Sequence, residues 1–156
     1  MKIGKMTRHR AEQIATWTYP DEYSVYSFKN NEAEIEEIQN GLHMAVCENR
    51  TLVGFVAFGW SAQVRTKETN EIYDDESFTD IAFGLKPSLC GQGKGRELVL
   101  TGIDFVKSLF PEDGVRLTVR ADNKRAIKCY KSAGFKRKNT FTNKKDGFDY
   151  VIMTLT

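Results

Sequence analysis

Along the chain, apolar positions recur either every second residue or every three to four, and the switches between these two periods divide it into short elements. Lys2 to Met6 reads as a first strand. Thr7 has the chemistry of a helix start, and Arg8 to Trp17 carries Ile14 and Trp17 on one side until Pro20 ends it. Tyr19 to Phe28 is a loop rich in aromatics, followed by a second, acidic helix over Glu32 to Gln39 that Asn40-Gly41 closes. Leu42 to Glu48 and Thr51 to Trp60 flank the turn residues Asn49-Arg50 as a β-hairpin, whose apolar second arm suits the centre of a sheet. Beyond a polar connection, Ser61 to Ser77, comes a strand at Asp80 to Leu85, then Lys86-Pro87 and a glycine run from Cys90 to Gly95. Arg96 to Phe110 carries Leu98, Val99, Ile103, Val106 and Leu109 as a helical stripe that Pro111 terminates. Val115 to Val119 is a strand, Asn123 to Ser132 a short helix stopped by Gly134, and Phe135 to Thr142 and Phe148 to Leu155 are two last strands around Lys145-Asp146-Gly147. The order βααβββαβαββ predicts a mixed α/β (α+β) fold in one domain over residues 1–156, with no internal repeat.

Composition narrows the classes. At 156 residues with 40% hydrophobic and 28% charged positions, the chain has the make-up of a globular domain that needs no disulfide staple. Cys47, Cys90 and Cys129 are odd in number and far apart, and only His9 and His43 could join them, so neither a disulfide framework nor a metal site is expected. No basic-then-apolar leader opens the sequence and no apolar run reaches the roughly 18 residues of a spanning helix. The expectation is a cytoplasmic protein with reduced thiols and no membrane partner. The net charge of +2 gives no global argument for a polyanionic partner.

Most of the chemistry lies in the glycine run. A strand, a glycine-rich turn and a helix N-terminus make an anion site, because the first helical N–H groups lack intrahelical partners and the dipole is positive there. The NTPase loop is excluded: Ser88 stands where its first glycine belongs, and Gly95 replaces the Ser/Thr that holds magnesium. The dinucleotide fingerprint fails as well, since Arg96 occupies the place of its third glycine.

Pro87, Gly93 and Gly95 fit the Gln/Arg-x-x-Gly-x-Gly/Ala acyl-CoA loop of the GCN5-related N-acetyltransferase (GNAT) superfamily, with Cys90 standing at its first position. Arg120 to Phe135 resembles the same family's V-x-x-x-N-x-x-A-x-x-x-Y-x-x-x-G-F stretch through Asn123, Ala126, Tyr130, Gly134 and Phe135, with Val119 ahead of them. The resemblance implies a mixed central sheet of six to seven strands flanked by about four helices. It implies an acetyl-CoA-dependent N-acetyltransferase acting by direct transfer in a ternary complex, with acetyl-CoA as co-substrate and no metal. A CoA-binding sensor without catalysis is the competing class, given Cys90.

Such transfer needs the phosphates held, the carbonyl polarised, the amine neutral and the thiolate protonated. By resemblance, the main chain of Cys90, Gly91, Gln92, Gly93, Lys94, Gly95 and Arg96 receives the pyrophosphate, the Lys94 and Arg96 side chains add charge, and the main chain of Phe83, Gly84 and Leu85 pairs with the pantetheine arm. Tyr130, two helical turns after Asn123, is the expected general acid, because a phenol of pKa about 10 can protonate a thiolate whose acid lies near 8.5. Asn123 would anchor the pantetheine amide or the acceptor, with Lys124 or Arg125 meeting the 3′-phosphate. Some relatives place a basic Glu five residues before that Asn, but here the position is Thr118. Asp80 acting through a water, or Glu22, is the substitute expected.

Position splits the bland total charge. Glu68 to Asp80 holds six carboxylates and no Lys or Arg, whereas Gly114 to Thr156 is net +8. The acidic connection, with Asp74 and Asp75, and the loop carrying Tyr19, Glu22, Tyr23 and Tyr26 correspond to the family's acceptor side. A small cationic amine or a peptide N-terminus fits them as partner. A nucleic acid comes last because the basic third has few interleaved aromatics, and a homodimer stays open.

Overall fold

The computed structural model describes residues 1–156. Its elements are β1 (Lys2–Gly4), α1 (Arg8–Ala15), α2 (Glu32–Ile38), β2 (His43–Glu48), β3 (Thr51–Phe58), α3 (Asn70–Tyr73), β4 (Phe78–Leu85), α4 (Lys94–Leu109), β5 (Gly114–Arg120), α5 (Lys124–Ser132), β6 (Lys136–Thr142) and β7 (Asp149–Leu155). The strands form a seven-stranded sheet in the order β1-β2-β3-β4-β5-β7-β6. It is mixed, since β4 and β5 run parallel while β1-β2, β2-β3, β5-β7 and β6-β7 are antiparallel. This is the expected α/β architecture with its upper strand number. Four helices match the periodic segments, and the four-residue α3 falls inside the segment read as a polar connection.

Local chemistry sets the boundaries. Thr7 and Asn31 cap α1 and α2 by accepting from Arg10 N and Glu34 N, the interaction that makes Thr and Asn good helix starters. The hairpin turn places Asn49 at φ +51° and Arg50 at φ +66°, the mirror-image turn that matches strand twist. The aromatic loop contains a 3₁₀ turn over Asp21–Tyr26. Another 3₁₀ turn, Gly59–Ala62, cuts the hairpin's second arm two residues short of the expected Trp60.

The chain divides into two compact units, Met1–Ala57 with Phe83–Thr101, and Phe58–Ala82 with Gly102–Thr156. In the first, Met6, Ala11, Ile14, Ala15, Trp17, Ile35, Ile38, Ala45 and Leu52 form a buried core against which Tyr19, Phe28, Cys47 and Phe55 pack. Phe55 sits among Trp17, Phe28 and His43, with ring centroids 5.9 to 6.4 Å away. A Cβ on Gly84 would lie 2.0 Å from the Phe55 ring, so β4 must carry glycine where the ring crosses it. In the second unit, Val115, Leu117 and Val119 of β5 are buried, as are Val151, Ile152 and Met153 of β7, together with Ile127 and Phe135.

Burial in the first unit creates a pH dependence. His43 bonds Asn40 Oδ1 through Nδ1 at 3.0 Å, and its burial pushes its pKa down to about 4. The unfolded chain binds that proton near pH 6.5 and the folded chain only near 4. The stabilisation is therefore complete above about pH 6.5 and is lost as pH falls toward 4, an order-of-magnitude effect of about 3 kcal/mol. Urea unfolding of the wild type and a His43→Phe variant at pH 7.5 and 4.5 is expected to show the variant losing clearly less stability on acidification. Equal losses would remove His43 as the cause.

Candidate active site

Strand β4 and the turn after it carry the first set of expected residues. Registered pairs between β4 and β5 run from Phe78↔Gly114 to Asp80↔Arg116. At the far end of β4, Lys86 N donates to Val53 O at 2.8 Å. Because N–H groups alternate sides along a strand, the Leu85 and Phe83 main chains point away from β3, the orientation an added strand-like ligand requires. The Leu85 carbonyl already accepts from the Tyr19 hydroxyl at 2.6 Å, which leaves its N–H as that residue's contact for an incoming carbonyl. Tyr19 is therefore a brace on the end of β4. Burial first, and the neighbouring Cys90 second, push its phenol above the ordinary tyrosine range.

The chain then makes a 3₁₀ turn over Pro87–Leu89 and enters the glycine run. Gly91 and Gly93 have φ +76° and +78°, and a Cβ at either would meet nothing within 4 Å. Backbone conformation, and not crowding, demands glycine there, and the space over the loop is open to a group of phosphate size. Gln92 donates to Ser88 O at 2.8 Å and fixes the loop internally. The first four N–H groups of the 16-residue α4 begin where the loop ends.

Two expected charges are placed differently. The Lys94 ammonium lies 2.9 Å from Glu48, a bond that holds the lysine above and the glutamate below their ordinary ranges. Its positive charge is shared with β2, so Arg96, exposed on α4, is the side chain available to an anion at the loop. Asp80, expected as a base acting through a water, is buried in an ion pair instead. It is 3% exposed, faces Arg116 across the parallel register, and receives two bonds of 2.7 Å from Nε and Nη2 and one of 2.9 Å from Gln63.

Arg116 organises the whole segment before β4. Its Nη1 donates to Ile72 O at 2.6 Å and Asp75 O at 3.2 Å, and its guanidinium carbon lies 5.3 Å from the Tyr73 ring centre and 5.5 Å from that of Phe78. Burial works against the charge on Arg116, yet the bonds and charge of Asp80 outweigh it and hold its pKa above the usual value. The Tyr73 hydroxyl accepts from Val64 N at 3.2 Å and lies 2.6 Å from Thr118 Oγ1. Thr118, at the position where some relatives carry a base, is thus tied to a buried phenol whose pKa burial raises. Sequence reasoning missed Gln63, Tyr73 and Arg116. A signal existed for one of them: an arginine set between the apolar Val115 and Leu117 within a strand requires a partner if its side chain is buried.

The second signature forms α5. Asn123 is its N-cap and accepts from Ala126 N at 3.2 Å, so its side-chain oxygen already has a local bond. Tyr130 is half-buried, edge-on to Phe135 with ring centroids 6.1 Å apart, while Lys124 and Arg125 are exposed in the first turn. Of the six acidic residues in the connection, Glu68 lies 3.3 Å from Lys144, Asp74 3.0 Å from Arg65, and Asp80 is buried on Arg116. Asp75 bonds Ser77, which holds it below the usual carboxylate range. Glu22 and Tyr26 are exposed, and Tyr23 is half-buried.

Residues 8–135 match the model of the acetyltransferase (GNAT) family. The chain belongs to that family. It is 33% identical over 89 residues to a mycothiol acetyltransferase of Mycolicibacterium gilvum (strain PYR-GCK), a match covering 54% of this chain and 26% of that protein. The chain thus spans about a quarter of the curated relative it matches. Among solved structures, the aminoglycoside acetyltransferase AAC(6')-Ib in complex with coenzyme A superimposes with a TM-score of 0.79 at 22% identity, over 99% of this chain and 94% of that one. A variant of the spermidine N-acetyltransferase SpeG from Vibrio cholerae gives 0.70 at 17% identity, over 99% and 94%. At these identities the likeness shows the GNAT fold.

Proposed function

We propose that this GNAT domain, over residues 1–156, is an acetyl-CoA-dependent N-acetyltransferase that acetylates a small cationic amine or a peptide N-terminus. The observation that carries the reading is the open glycine turn leading into the N-terminus of α4, next to a strand whose ladder with β5 ends at Asp80. Family membership and the coenzyme A bound to the aminoglycoside acetyltransferase support the same reading.

When bound, acetyl-CoA supplies the activated acyl group. The N–H groups from Gly91 to Arg96 hold its anionic end, and the Phe83 and Leu85 main chains align its arm. The Leu85 N–H polarises the carbonyl, and Tyr130 protonates the departing sulfur. Asp80 is committed to Arg116 and Thr118 to Tyr73, so neither position offers a carboxylate to the amine. With those two positions engaged, the amine proton passes to water in this reading, and the exposed Glu22 is the carboxylate left as the alternative base. An amine of pKa about 10.4 is neutral in roughly one molecule in two thousand at pH 7, and that fraction rises about tenfold per pH unit. The expected outcome is a kcat/KM that climbs with unit slope in log–log form between pH 6.5 and 8.5. A plateau within that window would point to a protein base.

For the acceptor, Glu22, in the 3₁₀ turn with the exposed Tyr26, and Glu71, Asp75 and Glu76 in the connection are exposed carboxylates with no arginine or lysine ion pair in the structure. Spermidine and aminoglycosides, which the names of the two structural relatives give as what they acetylate, are cations of the class that exposed carboxylates attract. Competition between a polyamine and a dipeptide with an acidic second residue tests the reading. The polyamine should win by about tenfold in kcat/KM at low salt and less at high salt; no preference would refute a cationic acceptor.

A further inference from the structure

The first unit holds a groove of about 760 Å³ that the proposed reaction does not use. Arg10, Glu12 and Trp17 from the α1 side, Arg50 and Leu52 from the β2–β3 hairpin, and Lys86 after β4 line it. Its size lies in the range of pockets that take a nucleotide-sized molecule. Three cations face one carboxylate, and Glu12 is itself within 3.6 Å of the Arg8 guanidinium. Arg10 makes one bond, through Nη1 to Lys5 O at 2.7 Å. The Arg50 and Lys86 side chains have no hydrogen bond or ion pair in the structure.

Arg50 adds an independent observation. It occupies the second central position of the hairpin turn at φ +66°, a conformation that glycine adopts without strain and a long L side chain does not. The fold gains nothing from a guanidinium there, while the groove gains a charge.

We propose that this groove is a second binding site, separate from the glycine turn, for a phosphorylated small molecule. A phosphate dianion would receive charge-assisted bonds from the Arg50 fork and the Lys86 ammonium, with Arg10 adding charge and Trp17 and Leu52 walling the apolar body. The glycine turn recognises an anion through main-chain N–H groups of residues 91–96, whereas this groove does so through side chains.

The test uses the full chain carrying Trp60→Phe, so that Trp17 is the single remaining indole, with coenzyme A saturating in one arm and absent from a second. ADP and inorganic pyrophosphate are titrated, and binding is read by Trp17 emission and by calorimetry. The structure predicts saturable binding that Arg50→Gly and Lys86→Gln each weaken by about tenfold. Arg50→Gly should melt no lower than its parent, because glycine relieves the positive φ. Absence of saturable heat, or affinity unchanged in both variants, would overturn the site. Binding seen only when coenzyme A is left out would equally overturn it, by showing that the groove is an extension of the coenzyme site.

Discussion

Tyr130→Phe is expected to lower kcat by about 10²- to 10⁴-fold, the usual worth of a positioned general acid, while the affinity for coenzyme A stays within about twofold. The ring of Tyr130 packs edge-on against Phe135, and phenylalanine keeps that contact, so the variant should fold like its parent. Only the hydroxyl is removed. A phenol of pKa about 10 gives its proton to a thiolate of conjugate-acid pKa about 8.5 at a cost of about 2 kcal/mol, which is small against expelling an unprotonated thiolate. Steady-state kinetics with acetyl-CoA and a saturating amine give the answer. An unchanged kcat would remove Tyr130 as the acid, and a matching collapse of coenzyme affinity would make it a binding residue.

Arg116→Met should cost about 3 to 5 kcal/mol of folding stability, the penalty for leaving a buried carboxylate without its cation. Asp80 would keep only its bond from Gln63, and the carbonyls of Ile72, Tyr73 and Asp75 would lose their donor. A domain whose whole stability is of order 5 to 15 kcal/mol would feel this strongly. The double variant Asp80→Leu/Arg116→Met should recover part of the loss, because no charge is left stranded, but not all of it, because the carbonyls stay unbonded. Urea midpoints at constant m-value measure both variants. A single variant within 1 kcal/mol of wild type would mean that the pair does not hold the segment before β4.

What the sequence made legible was local chemistry. The Thr7 cap, the Asn49-Arg50 turn, the Gly91 and Gly93 positions and the Gly134 stop each follow from backbone preferences of single residues, and the structure realises each one. The segment from Gly59 to Ser77 was opaque for the opposite reason. Its order comes from Arg116 and Thr118, more than forty residues away, and no periodicity within the segment can announce partners at that distance. The same cause misled the charge count. Glu68, Asp74 and Asp80 read as an unopposed acidic run, but Lys144, Arg65 and Arg116 reach them through the fold. Asp80 shows how this redirects a functional assignment: a carboxylate at a strand start looks available for proton transfer until register sets an arginine opposite it.

The most direct test of the account is free-thiol release from acetyl-CoA by the purified chain, followed with and without a panel of polyamines, aminoglycosides and peptides. Thiol release is expected to require an added amine, to match acetylated product one to one, and to fall by about two orders of magnitude or more in Tyr130→Phe. Coenzyme A binding with no amine-dependent thiol release across the panel would contradict this and leave a coenzyme-binding protein without transferase activity.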